Sequence, residues 1–304
     1  MAPIDHSELQ IANQTNLLAF GCMAIVATLT AVDATIVRFL AGEVHPFVIG
    51  FFKSAFGLCA IFPLLVARRS TVFQSNYRYL HFIRSGLKLA ALVLLYTSFQ
   101  MTELADAMAI IFTGPIFLVL GAWLFLGERL GAGRVVAVAF GFSGAIIIIQ
   151  PAGAGPISLG AFYALGGAFL IAIAQIMLKR MSSKDDIDTL IAWNLISTVP
   201  IAAIPAAIFW SPVELETLAI LAGQGILGTI CMVCGTKAFS LAEASRLAPI
   251  SYLRLPLVAI LAYWLFGEVA DPTTWLGAAI IIGSTLVIVA GTELSRFARF
   301  GHGS

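Results

Sequence analysis

Five charged side chains lie within or beside long apolar runs of this 304-residue chain. A charge at the centre of a bilayer costs about 2.5–3.5 kcal/mol on insertion scales, so each needs a partner or a function. They are Asp33, Lys53, Lys88, Asp106 and Arg254. Lys88 and Arg254 have no obvious acidic residue at their depth. We therefore expect both to line a wet cavity and bind an anionic group, a carboxylate or a phosphate. The alternative is that backbone carbonyls or tyrosine hydroxyls satisfy them.

Arg84 precedes Lys88 by four residues, on the same face of a predicted helix. The two side chains carry the same charge, which is unfavourable without a partner. A long arginine side chain near a span end can reach the aqueous interface while its methylene groups remain in the apolar region. We therefore expect Arg84 to extend toward the cytoplasm, with Lys88 remaining in the cavity.

The other polar side chains of the apolar runs allow two interpretations. Lys53 and Asp33 both lie toward the outer ends of adjacent runs and could form an ion pair, and Asp106 could lie at the interface. Alternatively, Lys53 belongs to a substrate-binding site, and Asp33 or Asp106 couples a proton or binds an amine. Gln175 and Asn194 add polar groups in two further runs, and we expect them in the same site.

Prolines surround Arg254 in the ninth apolar run. Pro249 and Pro256 are seven residues apart, with Tyr252 and Arg254 between them. A proline inside a helix leaves a carbonyl without its usual partner and bends the axis. We therefore predict a bend where this run faces the cavity, with Tyr252 packing against the apolar part of a ligand. Pro115 is the related feature of the fourth run, and all three prolines are candidate gating residues.

The composition indicates an integral membrane protein. Hydrophobic residues make up 60% of the chain and charged residues 11%, against about 25% charged in soluble domains. An apolar helix of about 20 residues crosses the hydrocarbon core of a bilayer. We predict ten spans, joined by short links into one all-α bundle with no soluble domain. They are 17–38, 46–67, 80–101, 105–126, 134–150, 158–180, 189–210, 216–238, 246–266 and 273–291.

The sequence contains an internal repeat. Residues 99–128 align without a gap with residues 239–268, and each copy runs from a Phe to a Gly-Glu pair. Ten spans in two copies give five spans each, so the copies must cross the membrane in opposite directions. We predict inverted repeats at 17–150 and 158–291 around a central cavity. Inverted repeats are a feature of secondary transporters, whose substrate site lies near the midplane between the halves.

The distribution of Lys and Arg predicts the orientation. One set of span ends carries eleven basic residues, whereas the opposite loops carry only Arg38 among acidic residues. Cytoplasmic loops are enriched in Lys and Arg, so the basic ends face the cytoplasm. The tails 1–16 and 292–304 are then both cytoplasmic. The net charge of +1 suggests no nucleic-acid partner, and the scattered cysteines and histidines predict neither a metal site nor a cofactor.

Several short motifs resemble the EamA family of the drug/metabolite transporter superfamily, over residues 17–290. They are Ala105-Asp106-Ala107, Pro115, Leu126-Gly127-Glu128, Ala242-Glu243-Ala244, Pro249, Tyr252, Phe266-Gly267-Glu268 and His81 to Gly86. The resemblance implies a basket of helices around a cavity, alternating access and transport of small metabolites such as amino acids, riboflavin or S-adenosylmethionine. Phe52-Lys53 replaces the family's frequent Phe-Arg, which keeps the charge but loses the planar fork that binds carboxylates.

The sequence therefore predicts a secondary transporter of the bacterial inner membrane, for a small anionic or zwitterionic metabolite. A cation or multidrug exporter is the main alternative, but it would need a deep unpaired carboxylate. A membrane enzyme would need a His/Asp/Glu cluster at one membrane face, and a receptor or structural protein would not need the five charges. The residues select no direction of transport, and either a monomer or a dimer is compatible with them.

Overall fold

The structure is a computed structural model. It describes the backbone of residues 6–67, 75–126, 132–149, 158–182, 184–242, 247 and 250–300. Side chains are described from residue 17 to 287 within these ranges, apart from 64, 122, 125, 126, 132, 134, 187 and 239.

All regular secondary structure in the described residues is α-helical. The helices are α1 (His6–Phe39), α2 (Pro46–Ala67), α3 (Arg78–Met101), α4 (Leu104–Ile111), α5 (Gly114–Leu126), α6 (Ala132–Ile149), α7 (Leu159–Met181), α8 (Ile187–Ile208), α9 (Leu215–Leu241), α10 (Arg254–Phe266) and α11 (Pro272–Phe300). Seven helical segments in these ranges are long and apolar enough to cross a membrane, and three shorter apolar helices accompany them. Seven and three give the ten apolar segments that the sequence predicts, so the all-α membrane fold is confirmed.

The first and last helices continue past their apolar parts. α1 begins at His6 and α11 ends at Phe300, so each includes residues that the sequence assigned to a tail. Neither extension contains a glycine or a proline, the two residues with the lowest helix propensity. Loss of hydrophobicity alone therefore does not end a helix here.

The fourth and ninth spans are both interrupted beside prolines. Between α4 and α5, the backbone N–H and the hydroxyl of Thr113 donate to the carbonyl of Ile110 at 2.9 and 2.7 Å. Pro115, which has no N–H to donate, occupies the first turn of α5. Pro256 occupies the first turn of α10, which begins at Arg254. The ninth span is therefore broken next to Arg254, where the sequence predicted a bend.

Most helices pack against helices of the other half. α2 lies against α8 and α9, α1 against α9 and α10, and α3 against α7 and α8. α4 and α5 both contact α7, while α6 and α11 pack mainly against each other. The largest buried apolar cluster draws side chains from both halves, including Leu40, Leu104 and Leu221. The two halves therefore share one core.

The first helices of the two halves run in opposite directions. At the end of α1, the Arg38 guanidinium donates to the carbonyls of Phe99 and Gln100 at the end of α3. Thr102, directly after α3, accepts a hydrogen bond from the hydroxyl of Ser158 at the start of α7, at 3.1 Å. α1 therefore ends where α7 begins, as an inverted repeat requires.

α6 and α11 cross at a pair of glycines. A Cβ atom placed on Gly144 would lie 2.7 Å from the carbonyl oxygen of Gly277, and one on Gly277 would lie 2.6 Å from that of Gly144. Small residues let membrane helices approach to backbone contact, and no larger side chain fits at either position. Gly283, farther along α11, has no heavy atom within 4 Å of such a Cβ.

We predict that Gly144→Ala or Gly277→Ala destabilises the protein by about 1–3 kcal/mol, because the added methyl forces the two helices apart. Thermal unfolding of the purified protein in detergent, followed by tryptophan fluorescence, measures the effect. Gly283→Ala is the matched control, since it gains the same helix propensity without a contact. A Gly277→Ala protein as stable as the Gly283→Ala protein would contradict the close crossing.

Candidate ligand-binding cavity

A cavity of about 350 Å³ lies between the two halves. Its walls come from α2 and α3 of the first half and from α8 and α9 of the second. The polar side chains that line it are Lys53, Ser54, Lys88, Asn194, Thr198, Thr229 and Cys231. Two of these are lysines and none is acidic, so the lining is cationic.

Glycines of α9 make room for the lysine of α2. A Cβ on Gly228 would lie 2.9 Å from Cε of Lys53, and a Cβ on Gly225 would lie 2.6 Å from Cβ of Phe56. Thr229 strengthens the same contact by donating to the carbonyl of Gly57 at 3.3 Å. Close packing of α2 on α9 therefore fixes the position of the Lys53 side chain.

Lys53 is neutralised by an acid from the same half. Its Nζ donates to Asp33 Oδ1 at 2.6 Å and to the Tyr96 hydroxyl at 2.7 Å. Tyr96 in turn donates to Asp33 Oδ2 at 3.1 Å, which closes a three-membered network across α1, α2 and α3. The predicted ion pair of Lys53 with Asp33 is confirmed. It makes Lys53 a poor candidate for a free anion-binding group.

Lys88 has no such partner. Among the described residues, it makes no hydrogen bond and no ion pair that would neutralise it, and the charged groups that act on it are Arg84 and Lys53, both positive. Arg84 does not extend to the cytoplasm as predicted. It is buried with 6% exposure, and its Nε and Nη1 have no hydrogen-bond partner in the described part of the chain. Two like charges one turn apart therefore face the bundle interior.

Arg254 borders the cavity but does not line it. Its guanidinium lies 4.3 Å above the ring of Phe112, and Tyr252 packs edge-on against the same ring at 4.9 Å. The ring faces attract the cation, which partly offsets its burial. Cys231 connects the two regions, because it lines the cavity and lies within the electrostatic reach of Arg254.

The other predicted site residues are dispersed. Asn194 lines the cavity, and its Oδ1 is buried with no partner among the described residues. Gln175 is exposed on α7 and is not part of the cavity wall. Asp106 lies at the end of the bundle that carries Arg38 and accepts a hydrogen bond from Thr274 at 2.5 Å. Pro249 falls outside the described residues.

An ion-pair network that the sequence did not predict joins the halves at the Arg38 end. Arg38 Nη2 lies 2.6 Å from Glu268 Oε1, and Glu268 Oε2 accepts the backbone N–H of Leu104 at 3.0 Å. The network ties the end of α1 and the start of α4 to the segment after α10. The Gly-Glu pair that ends each of the aligned segments 99–128 and 239–268 is the sequence signal that pointed to Glu268.

A second cross-half network lies at the opposite end. His81 Nε2 is 3.0 Å from Asp185 Oδ2, which also accepts the Ser75 hydroxyl at 2.5 Å, and the Asn76 N–H donates to Oδ1 at 3.0 Å. Burial opposes ionisation of Asp185, but these hydrogen bonds outweigh it and lower the pKa of its carboxyl group. The start of α3 is thereby fastened to the link between α7 and α8.

An all-α membrane bundle of two inverted halves around a polar cavity is the architecture of a membrane carrier. The family model of the EamA-like transporter family matches residues 17–150 and 158–290. The chain belongs to this family.

Two curated relatives are similar over nearly their whole length. The riboflavin transporter of Rhizobium johnstonii is 29% identical over 289 residues, which cover 91% of this chain and 95% of the relative. The S-adenosylmethionine uptake transporter of Rickettsia bellii is 27% identical over 278 residues, with 91% and 95% covered. A solved crystal structure shares the fold with a TM-score of 0.60 and 19% identity, over 91% of this chain and 97% of that one.

We predict that Lys53→Met and Asp33→Asn each destabilise the protein by about 3–5 kcal/mol, because each leaves one buried charge without its partner. The double variant should be less destabilised than the sum of the two, since it leaves neither charge. Unfolding of the four proteins in detergent gives the coupling energy. Additive effects would show that Lys53 and Asp33 do not depend on each other.

Proposed function

We propose that this protein is a secondary transporter that moves a small metabolite with an anionic group across the inner membrane of a bacterium. The observation that carries the proposal is Lys88, a cation in the wall of the cavity with no acidic partner in the described structure.

The charges of the cavity favour an anionic cargo. Lys53 is paired with Asp33, so the free charge of the lining is that of Lys88. A cation held in a low-dielectric site without a counter-charge is costly, and an anionic group of the cargo removes that cost when it binds. Arg254, at the edge of the cavity, adds a second positive charge in reach of a longer cargo.

The size of the cavity and the relatives support a metabolite as cargo. About 350 Å³ lies in the range of small-molecule sites, which is about 300–1,000 Å³. Two relatives are named for riboflavin and for S-adenosylmethionine, both small metabolites with a heterocyclic ring. A multidrug exporter for cations is less well supported, since the acid nearest the cavity, Asp33, is already bound to Lys53.

The two cross-half networks supply the gates for alternating access. Arg38 with Glu268 and the shared apolar core hold the halves together at one end, and His81 with Asp185 holds them at the other. Opening one end requires that its network separates while the other stays closed. Inverted halves make the two motions equivalent, because each half contributes the same elements in opposite orientation.

Asp33 is our candidate for a coupling group. A proton on its carboxylate would remove the charge that holds Lys53 and leave the Lys53 ammonium free to meet the cargo. Proton entry and cargo binding would then favour the same state. Transport measured with and without a pH gradient tests this step, and an Asp33→Asn protein that still responds to the gradient would exclude it.

We predict that Lys88→Met weakens cargo binding about 10–100-fold, since a hydrogen bond to a charged group contributes about 1.5–3 kcal/mol. Thermal-shift screening against amino acids, riboflavin, S-adenosylmethionine and nucleotide sugars identifies the ligand, because a ligand of the folded state raises its stability. Uptake of that ligand into proteoliposomes then measures transport by the wild type, Lys88→Met and Arg254→Met.

Lys184→Gln is the matched control, because Lys184 is an exposed loop residue beside the ring of Tyr77 and does not line the cavity. It should bind and transport like the wild type. Normal transport by both the Lys88→Met and the Arg254→Met proteins would refute the cavity assignment.

We predict that both termini face the cytoplasm, with the His81–Asp185 end of the bundle on the same side. The basic residues of that side motivate the orientation. A green fluorescent protein fused to the C-terminus should fluoresce, and alkaline phosphatase fused there should be inactive. Active phosphatase at the C-terminus would reverse the orientation.

A further inference from the structure

We propose that Arg84 and Lys88 together form a subsite for a doubly charged anionic group, of the phosphate monoester type, on the transported molecule. The inference rests on the proposed function, because it takes the cavity as the place where the cargo binds. It assigns Arg84, which the structure buries, as a residue that selects the cargo.

The two cations lie one turn apart on the same face of α3. They are four residues apart on α3, so their Cβ atoms are about 5–6 Å from each other on one face of the helix. Lys88 lines the cavity, and Arg84 lies one turn nearer the start of the helix with Nε and Nη1 free of any hydrogen bond to the described residues. A single small group between the two side chains can contact both.

The facing helix α8 brings further polar groups toward this part of α3. Ser85, between the two cations in sequence, donates to the backbone carbonyl of Asn194 at 3.3 Å, so α3 and α8 are in contact here. The side chains of Asn194 and Ser197 on α8 have buried oxygen atoms that lack partners within the described structure. The Ser197 hydroxyl can donate to an oxygen of a bound anion, whereas Oδ1 of Asn194 can only accept, and no described acid lines the cavity.

The charge of the pair favours a phosphate over a carboxylate. A carboxylate brings one negative charge and would leave one of the two cations uncompensated. A phosphate monoester carries about 1.5–2 negative charges at pH 7 and three acceptor oxygens. The planar fork of an arginine binds two of those oxygens, and a lysine acts as a point charge on the third. Arg84 and Lys88 offer one of each.

A cargo with two negative charges differs from the compounds for which the two relatives are named. Riboflavin has no ionised group near neutral pH, and S-adenosylmethionine carries a single carboxylate beside an ammonium and a sulfonium cation. Neither molecule brings the two negative charges that would neutralise both Arg84 and Lys88. Riboflavin 5′-phosphate differs from riboflavin only by a phosphate monoester, so the two compounds form a matched pair of probes.

Inorganic phosphate tests the subsite without any assumption about the rest of the cargo. At pH 7.5 and constant ionic strength, sodium phosphate should raise the unfolding temperature of the wild type relative to sodium chloride. The shift should disappear in Arg84→Gln and in Lys88→Gln and should persist in Lys184→Gln. Equal phosphate shifts in the wild type, Arg84→Gln and Lys88→Gln, or no shift in the wild type, would overturn the proposal.

The flavin pair tests the same subsite on a larger ligand. Quenching of flavin fluorescence should show riboflavin 5′-phosphate binding at least about tenfold more tightly than riboflavin, since a charge-assisted contact exceeds 1.4 kcal/mol. In Arg84→Gln the preference should be lost. If the two flavins bind equally to the wild type, the phosphate subsite is wrong; if neither binds, the phosphate shift of the preceding experiment decides.

The stability of the ligand-free variants distinguishes a binding role from a structural one. Removing a buried charge that has no partner should raise the unfolding temperature, so Arg84→Met should be more stable than the wild type in the absence of phosphate. A strong destabilisation would show that Arg84 is satisfied structurally and would overturn its assignment. Should a neutral ligand bind in a Lys88-dependent way while phosphate has no effect, the transport proposal stands and the phosphate subsite alone fails.

Discussion

The ion pair of Lys53 with Asp33 determines the chemistry of the cavity. It brings together α1, α2 and α3, and Tyr96 contacts both charges. Because this pair uses the only acid close to the cavity in the described structure, every other cation there remains uncompensated. Burying a charge is tolerated when it is paired, and an unpaired one requires a function. The cavity is therefore positive because Lys53 is paired with Asp33 whereas Lys88 has no acidic partner in the described structure.

In a bilayer, the polar networks at the two ends of the bundle fix how the helices are arranged. Hydrophobic burial does not discriminate between helix–helix and helix–lipid contact inside a bilayer, so polar contacts and close packing fix the arrangement of helices. Arg38 with Glu268, and His81 with Asp185, are such contacts, and each joins one half to the other. By contrast, α6 and α11 meet by close packing at Gly144 and Gly277 and by a hydrogen bond from the Ser284 hydroxyl to the carbonyl of Ala137, which suits a pair that stays together while the halves move.

Hydropathy predicted the ten segments because the bilayer imposes one length on every span. The odd number of spans in each repeat predicted the inversion, and the depth of Lys53 and Asp33 made their pairing one of two interpretations, the one that the structure shows. The sequence did not predict that Arg84 is buried or that Gln175 lies away from the cavity. Helices that are apolar on all sides carry little information on which side faces inward. The repeated Gly-Glu pair singled out Glu268, but its link to Arg38 depends on the relative position of the two halves, which no local pattern contains.

Arg84 shows how stability and function oppose each other in this fold. Its burial beside Lys88 places two positive charges in a medium that penalises each of them. The polar groups of Asn194 and Ser197 on the facing helix are neutral and cannot offset a charge. The ligand-free bundle therefore holds a cost, which in the proposed function an incoming anion removes. A carrier benefits from this arrangement, because a cargo that removes an unfavourable buried charge binds more strongly. Part of that binding energy then becomes available to separate one of the two end networks.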